Sequence, residues 1–563
     1  MRIGRINCSE GYSPFRALFC NILYGISSLN VAGVPPKPGP DIKGDIVRDH
    51  HRRRIRDGLL RLLGGIALLA LSGLAPAHAR TASAETDEAR TAAYLDRIVD
   101  SGPRLRIFLQ TMPKGGDLHN HAGGANYAED FLRWAAADGL CIATDTYHVV
   151  DPPCDAPGRI PAAGLESRYP YYSRAIDAFS TRGFEAGVGD PAVSGYNRFF
   201  ATFEAFSPAS RNHMGEALAM TRRQAAADRV SYVELSTGAR SVMPLVAAIG
   251  DTADVSDLER LYARIVPLLP AAVAKARADY DGYEAEMAKL DDCKGKTPEA
   301  ACGVEMRYLY TALRTVPPAQ VFTQLAFGFA LAAADPRFVG VNIAAPEHDP
   351  IAVRDYALHM RMIAFLKARH PDVLLSLHAG ELTLGLVPPR DLAFHIRQAV
   401  EVAGARRIGH GIDISYEPDA PDLLRRMARD RVAVEINLTS NAVILGVKGS
   451  DHPLSLYRQA GVPVVLSTDD EGVSRSDMTN EYMRAVTEQG LRYRDLKQIA
   501  RDGLQYAFLP GASLWADRPG GERTAACADI GSQACVTFRA ASPKAERQWR
   551  LEQDFTAFEA TAR

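Results

Sequence analysis

Short apolar runs rich in β-branched residues alternate with longer helical stretches over most of this 563-residue chain. Eight strands separated by helices are typical of an α/β (β/α)8 barrel, the TIM barrel, in which a closed parallel sheet is surrounded by helices. The predicted strands span residues 117–121, 232–236, 321–329, 339–344, 373–378, 407–410, 432–438 and 463–468.

Two of the predicted connections are too long for a plain strand-to-helix unit. About 110 residues separate the first strand from the second, and about 85 separate the second from the third. We therefore predict one barrel with insertions after strands 1 and 2. The predicted organisation is a leader over residues 1–79, a barrel over 80–515 with a disulfide-closed insertion around 122–200, and a C-terminal extension over 516–563.

The leader has the three parts of a secretory signal. A basic cluster at residues 52–56 precedes an apolar run over 59–75, and Ala77-His78-Ala79 supplies the small residues that a signal peptidase recognises. A membrane anchor or a buried helix is the alternative, but the run is shorter than the roughly 20 clean apolar residues of a membrane span, and it ends in a cleavage site. We expect cleavage before Arg80 and export to the periplasm or the medium, with no membrane anchor after cleavage.

The charge balance argues against nucleic acid as a partner. The whole chain has 65 basic and 67 acidic side chains. Residues 1–79 contain 11 and 5 of them, so 54 basic and 62 acidic side chains remain in the rest. A nucleic-acid-binding protein needs a basic face or stripe, which this composition does not indicate.

The cysteines outside the leader form three close pairs. None has the C-x-x-C spacing of a zinc ribbon, so we predict three local disulfides and an oxidising compartment. Six cysteines allow 15 connectivities, and local pairing is inferred from spacing alone. The pairs are Cys141 with Cys154, Cys293 with Cys302, and Cys527 with Cys535.

Histidines and acids lie at the ends of several predicted strands. Alternate residues of a strand share a face, so His119 and His121 point the same way and can bind one metal ion. His378 and Glu381 end the fifth strand, and a third imidazole beside a carboxylate fits a zinc site with a general acid or base. His410 ends the sixth strand, and Asp469 and Asp470 end the eighth. Barrel enzymes keep their active sites at these strand ends.

At these residues the sequence resembles a known enzyme group. Met112-Pro113-Lys114-Gly115 before His119-Asn120-His121, His378-Ala379-Gly380-Glu381, Arg407-Ile408-Gly409-His410-Gly411 and Ser467-Thr468-Asp469-Asp470 resemble the adenosine deaminase family of metal-dependent hydrolases. The lead-in, the export signal and the cysteine-closed insertion resemble its secreted branch, the adenosine deaminase-related growth factors. The resemblance covers roughly residues 90–515.

The resemblance implies an activity and roles for individual residues. His119, His121, His378 and Asp469 would bind one Zn²⁺ per chain. Glu381 would carry a proton to the purine ring, His410 would orient and deprotonate the zinc-bound water, and Asp470 and the backbone N–H of Ala345 would contact the substrate. The implied reaction converts adenosine, and deoxyadenosine, to inosine and ammonia, and the family also implies a homodimer.

Several departures from the family pattern leave the substrate open. Gly123 replaces an acid that the family places near the ribose, and Ala345 replaces a glycine at the purine. A modified or 5′-altered adenosine is therefore an alternative substrate. A growth-factor-like signalling or binding protein is a third hypothesis, which loss of a zinc ligand would favour. Phe199, Phe200, Phe203 and Phe206 have helical spacing, which we interpret as core packing rather than as a lid over the substrate.

Overall fold

The computed structural model describes residues 86–184 and 194–562. Eight parallel strands form one sheet in the order β1-β5-β6-β7-β8-β9-β10-β11, and a separate three-stranded antiparallel sheet has the order β3-β2-β4. The strands are β1 Gly115–His121, β2 Cys141–Ala143, β3 Val149–Val150, β4 Arg159–Pro161, β5 Val230–Thr237, β6 Glu305–Leu313, β7 Phe338–Ala344, β8 Leu374–Ala379, β9 Arg407–His410, β10 Ala433–Ile436 and β11 Val464–Leu466.

The large sheet nearly closes on itself. The Asp469 N–H donates to the His119 carbonyl at 2.8 Å, and the His121 N–H donates to the Asp469 carbonyl at 3.0 Å. These two bonds join the first barrel strand to Asp469, three residues after the end of the last strand. The predicted TIM barrel is thereby confirmed, and its closure lies at candidate site residues.

The third predicted strand was wrong. Residues 321–329 lie within the helix Pro318–Ala334, and the barrel strand is β6, Glu305–Leu313. All nine residues from 321 to 329 are buried, so this helix has no polar face over that stretch. A short apolar run cannot distinguish a buried strand from a buried helix. In β6, by contrast, partly exposed Glu305 and Arg307 alternate with buried residues.

Helices surround the barrel and form most of the insertions. The α-helices are Asp87–Ile98, Gly102–Thr111, Ala128–Ala137, Tyr169–Ala178, Gly195–Phe206, Met214–Ala227, Met243–Ile249, Leu258–Ile265, Leu269–Leu290, Pro318–Ala334, Pro350–Arg369, His395–Gln398, Ala420–Asp430, Leu438–Leu445, Leu454–Gln459, Glu471–Ser474, Met478–Thr487, Tyr493–Gln505, Gln533–Ala540 and Pro543–Thr561. In the parts of the chain that the structure describes, no helix is both long and apolar enough to span a bilayer.

The segment between β1 and β5 has a hydrophobic core of its own. Phe131, Trp134, Phe199 and Phe206 pack together there, with Ile444 from the barrel side. The small sheet β3-β2-β4 belongs to the same segment. This packing holds an aromatic cluster beside the carboxyl ends of the barrel strands.

The structure pairs the cysteines locally. The sulfur atoms are 1.94, 2.07 and 2.00 Å apart in Cys141–Cys154, Cys293–Cys302 and Cys527–Cys535. The first pair links the start of β2 to the segment between β3 and β4, the second follows the helix Leu269–Leu290, and the third lies in the tail. The predicted leader, with its cleavage position before Arg80, lies outside the described residues.

The C-terminal residues pack onto the barrel. In the helix Pro543–Thr561, Glu559 accepts a hydrogen bond from the Tyr493 hydroxyl at 2.7 Å, and Glu552 pairs with Arg501 at 2.7 Å. The Phe558 ring lies 5.2 Å from the Phe108 ring, centre to centre.

Candidate metal centre and active site

Four potential metal ligands meet at the carboxyl end of the barrel. His119 and His121 come from β1, His378 from β8, and Asp469 from the turn after β11. One ligand atom from each of the four residues lies within 4.8 Å of the others. Three of the four side chains are buried, and His121 is partly exposed toward the cavity.

The distances among these atoms fit a tetrahedral metal site. The His121 Nε2 lies 3.2 Å from the His119 Nε2 and 3.1 Å from the His378 Nε2. Asp469 Oδ1 lies 3.4 Å from the His119 Nε2 and 3.3 Å from the His121 Nε2. Ligands about 2.0–2.1 Å from a zinc ion are separated by about 3.3–3.4 Å in tetrahedral geometry. The donor set and its spacing therefore fit a zinc ion.

The electrostatics of the cluster suit metal binding. Burial lowers the pKa of His121 to about 4, and burial with the neighbouring imidazoles lowers the pKa of His378 well below its ordinary value. Burial also acts to lower the pKa of His119, but the Asp469 and Glu435 carboxylates outweigh it and raise that pKa to about 10. Burial opposes ionisation of Asp469, yet its hydrogen bond and charge interaction with His119 keep its pKa below the ordinary range. Ligand histidines must be unprotonated at the metal-facing nitrogen, so metal binding here releases protons.

A buried ion network orients the His119 ring. The His119 Nδ1 donates to Glu435 Oε2 at 2.8 Å, which leaves Nε2 facing the cluster. Glu435 Oε1 accepts from Ser376 Oγ at 2.7 Å and from Arg407 Nε at 2.5 Å. Arg407 also donates to Glu234 at 2.5 Å. Gly409 is required beside this network because a Cβ there would lie 2.7 Å from the His119 ring.

Asn342 orients the His378 ring in the same way. The Ile343 N–H donates to Asn342 Oδ1 at 2.8 Å, so the amide oxygen faces His378. The His378 Nδ1 therefore donates to Asn342 Oδ1, at 3.0 Å, and its Nε2 is left bare toward the cluster.

A second buried network positions Glu381. The turn at Gly380 has φ +77, and a Cβ there would lie 2.3 Å from Asp413 Oδ1, so this position needs glycine. Glu347 accepts from the N–H groups of Gly380 and Glu381 at 3.0 and 2.8 Å. Arg314 lies 3.7 Å from Glu347, and it donates to the His378 carbonyl at 3.1 Å. Burial, with the nearby Asp469 charge, raises the pKa of Glu381 to about 8.

Three site residues other than glycine have positive φ angles. They are Ala345 at 85°, His410 at 70° and Asp469 at 60°. Such conformations cost about 1–3 kcal/mol each and persist where the surrounding structure imposes them. Their clustering at one end of the barrel is typical of an active site.

A cavity of about 370 Å³ opens over the cluster. This volume is in the range of small-molecule sites. Its lining contains the polar side chains His121, His378, Glu381, His410, Asp469 and Asp470, together with the aromatic side chains Phe131, Trp134, Phe199, Phe200, Phe203 and Phe206. Phe199 and Phe206 are core residues as predicted, but Phe200 and Phe203 are only partly buried, so the phenylalanine stripe forms a cavity wall as well.

The remaining predicted site residues also line this cavity. Asp470 is buried, and its Oδ1 has no hydrogen-bond partner among the residues the structure describes. Ala345 and Gly123 lie on the cavity surface. A Cβ at Gly123 would meet only the Phe203 ring, at 3.9 Å, so the missing side chain leaves open space.

The sequence analysis did not identify the residues that hold the site in place. Glu435 is the one polar residue of β10, and Glu234 lies between Val233 and Leu235 in β5; each is at most 1% exposed. An acid within an apolar strand is costly unless it is paired. That signal could have indicated both residues. Nothing comparable marks Arg314, whose partners are distant in the sequence.

Part of this chain is similar to known adenosine deaminases. Residues 283–514 match the model of the adenosine deaminase family. The chain is 34% identical over 146 residues to an adenosine deaminase of Shewanella loihica, covering 26% of this chain and 41% of that protein. It is also 34% identical over 146 residues to an adenosine deaminase of Aliivibrio fischeri, covering 26% and 40%. The matches therefore span about two fifths of these relatives' length.

Two solved structures are similar to this chain at low sequence identity. A zinc-bound amidohydrolase from Burkholderia ambifaria is 18% identical, with a TM-score of 0.45 and coverage of 80% of this chain and 94% of that one. An Arabidopsis N6-mAMP deaminase is 18% identical, with a TM-score of 0.45 and coverage of 72% and 96%. The family match includes His378, Glu381, His410 and Asp469, whereas His119 and His121 precede it in the sequence. The fold brings both sets together.

Proposed function

We propose that this chain, whose residues 283–514 match the model of the adenosine deaminase family, is a member of that family and an exported zinc-dependent aminohydrolase that converts adenosine and deoxyadenosine to inosine and deoxyinosine with release of ammonia. One observation carries the proposal. Three imidazoles and one carboxylate converge within 4.8 Å beside Glu381 and His410, at the base of a cavity of about 370 Å³.

His119, His121, His378 and Asp469 would hold the zinc ion. The fit rests on their spacing and on the bare Nε2 atoms that Glu435 and Asn342 turn toward one point. Zinc, when bound, lowers the pKa of water and so makes a nucleophile available at neutral pH.

Glu381 is the group suited to proton transfer. With a pKa raised to about 8 by burial, it is mostly protonated at pH 7 and can donate to a purine ring nitrogen. In the balanced reaction, the water oxygen bonds to the purine carbon and the bond to the amino nitrogen breaks. The two protons of water end on the ring nitrogen and on the departing ammonia, and Glu381 recovers its own proton.

Other residues would orient the purine. The unpartnered Asp470 Oδ1 and the backbone N–H of Ala345 line the cavity and are available to ring nitrogens. The aromatic side chains that line the cavity would exclude water from the reacting carbon. They pack in the hydrophobic core of the insertion, to which Ile444 contributes from the barrel side.

A modified or 5′-altered adenosine is the second candidate substrate. The open space at Gly123, bounded only by Phe203, favours it, because the position lacks a polar group for a ribose hydroxyl and leaves room for a larger substituent.

Export is supported by the three disulfides, since such bonds persist in oxidising compartments.

The test is ultraviolet monitoring of purified protein with adenosine, deoxyadenosine, AMP and 5′-modified adenosines, with ammonia measured in parallel. We expect chelator-sensitive deamination of at least one of them. Glu381→Gln should retain zinc but lose about 10²–10⁴-fold in kcat. Glu481→Gln, which removes an equally buried carboxylate outside the cavity lining, is the matched control and should keep its rate. No loss of any amino group, or full turnover by Glu381→Gln, would refute the proposal.

A further inference from the structure

We propose that Asn441 and His452 are positioning residues that fix the ring of His410 with its proton on Nε2, so that His410 presents an N–H donor to the reacting oxygen. The inference rests on the proposed function, because it concerns how a residue of that site acts. It follows from a chain of hydrogen bonds whose direction is set by a backbone amide.

The chain starts at the helix Leu454–Gln459. The Leu454 N–H donates to the His452 Nδ1 at 3.1 Å. A backbone N–H can only donate, so this Nδ1 carries no proton and the neutral ring carries its proton on Nε2. Burial, with the nearby Arg484 charge, lowers the pKa of His452 to about 4, which keeps the ring neutral at physiological pH.

The proton position on His452 sets the donor and acceptor of the next hydrogen bonds, which lead to His410. The His452 Nε2 donates to Asn441 Oδ1 at 3.2 Å, which turns the amide nitrogen of Asn441 away from His452. That Nδ2 donates to the His410 Nδ1 at 3.0 Å, and Asn437 Nδ2 is a second donor at 3.3 Å. A ring nitrogen that accepts these bonds carries no proton. The proton of the neutral His410 ring is therefore on Nε2.

The Nε2 of His410 points into the site. It lies 3.7 Å from Glu381 Oε1 and 3.9 Å from Asp469 Oδ2. It has no hydrogen-bond partner within the described ranges, and the side chain is 1% exposed. An N–H in this position can donate to an oxygen atom that bonds to the purine carbon.

The contrast with the ligand histidines supports the assignment. His119 and His378 donate from Nδ1, to Glu435 and Asn342, and turn a bare Nε2 toward the ligand cluster. His410 accepts at Nδ1 and turns a protonated Nε2 toward it. With this polarity His410 has no bare Nε2 to offer as a fifth ligand. This role of His410 as a donor also differs from the role that the family resemblance implies, in which His410 takes a proton from water. In the reaction proposed above, Glu381 takes that proton and returns it.

The direct test is nitrogen NMR on the zinc-loaded protein with ¹⁵N-labelled histidine, because protonated and bare ring nitrogens have different chemical shifts. The His410 signals are identified by their loss in His410→Gln. We expect a protonated Nε2 and a bare Nδ1. In Asn441→Asp, whose carboxylate can only accept, we expect the proton to move to Nδ1. The kcat should then fall by about 10–100-fold with KM within about 3-fold and zinc content unchanged.

Variants of His452 test the origin of the direction. His452→Gln can still donate from its side-chain amide to Asn441 Oδ1, so it should keep most of the kcat, whereas His452→Ala should lose about as much as Asn441→Asp. His359→Ala is the matched control, because His359 is an equally buried imidazole with neither ring nitrogen partnered within the described ranges. It should leave kcat and the His410 signals unchanged.

Two results would overturn the inference: a proton on Nδ1 of His410 in the unmodified protein, or an Asn441→Asp variant with the original tautomer and kcat. If His410 has the expected tautomer but no purine is deaminated, the inference on the ring stands and the proposed function fails.

Discussion

Glu435→Gln is the substitution that tests how the site is held together. The Glu435 carboxylate is 1% exposed and accepts from three donors: His119 Nδ1, Arg407 Nε and Ser376 Oγ, at 2.8, 2.5 and 2.7 Å. Glutamine has nearly the same shape but places an NH₂ group where one oxygen accepts. Either His119 or the Arg407 and Ser376 pair then faces another donor, and the charge that balances Arg407 is reduced to that of Glu234.

The size of the effect follows from the pKa of Glu435. Burial acts to raise it, but Arg407 and His119 outweigh burial and lower the pKa to about 2, against an ordinary 4.5. A lowered carboxylate pKa stabilises the fold above pH 4.5, and that contribution is lost as the pH falls through about 2. The difference corresponds to about 3 kcal/mol at pH 7. We expect Glu435→Gln to lose stability of this order in the metal-free protein and about 10–100-fold in zinc affinity.

The assays are competition for zinc with a chromophoric chelator and denaturant unfolding of the metal-free protein. Glu481→Gln is the matched control. Glu481 is also fully buried, and it accepts from the Thr439 N–H at 3.1 Å and from Ser476 Oγ at 3.0 Å, with no imidazole among these partners. The Glu481→Gln variant should bind zinc with the affinity of the unmodified protein. If Glu435→Gln binds zinc as tightly as the parent, Glu435 does not orient His119 and our description of the network is wrong.

Three further predictions concern stability and specificity. Burial raises the pKa of Glu481 from 4.5 to about 7, so this group lowers the stability of the fold as the pH rises from 4.5 to 7. Glu481→Gln should therefore flatten that part of the stability profile, measured by denaturant unfolding at a series of pH values. Ala345→Gly should raise the free energy of unfolding by about 1 kcal/mol, because the φ of +85° at this position strains an alanine. It should also lower the KM for adenosine, because it removes a methyl group from the cavity lining; an unchanged unfolding midpoint would argue against strain. Replacing Cys527 and Cys535 by serine should lower the free energy of unfolding by about 2–3 kcal/mol, measured by thermal unfolding. It should leave kcat unchanged, since this disulfide packs with Leu514 and Trp515 in the tail; a lower kcat would connect the tail to catalysis.

The sequence predicted the barrel and the residues at its mouth for a simple reason. Strands end where apolar runs end, and histidines or acids at those ends are recognisable without three-dimensional information. The prediction of the third strand was wrong because residues 321–329 are mostly apolar and are buried on every face of their helix, and such a run matches a buried strand equally well.

The residues behind the ligands could not be predicted in this way. Arg407 and Glu234 are 173 positions apart, and Arg314 and His378 are 64 positions apart, so only the closed barrel brings them together. Which ring nitrogen of His410 carries the proton is harder still to predict from the sequence, because it depends on the donor and acceptor of each hydrogen bond from Leu454 to His410. The residue types at a site can be predicted from strand ends, but the proton positions depend on packing between distant segments.

The most direct test of the central claim is to return zinc stepwise to chelated protein while measuring ammonia release from adenosine, or from whichever purine nucleoside the protein accepts. We predict no ammonia release without metal, a linear rise in rate with added zinc and a plateau at one zinc per chain, and we predict that His119→Ala does not reach this plateau. Full ammonia release from metal-free protein, or a rate that does not depend on His119, would contradict the claim that these four residues form the catalytic metal site.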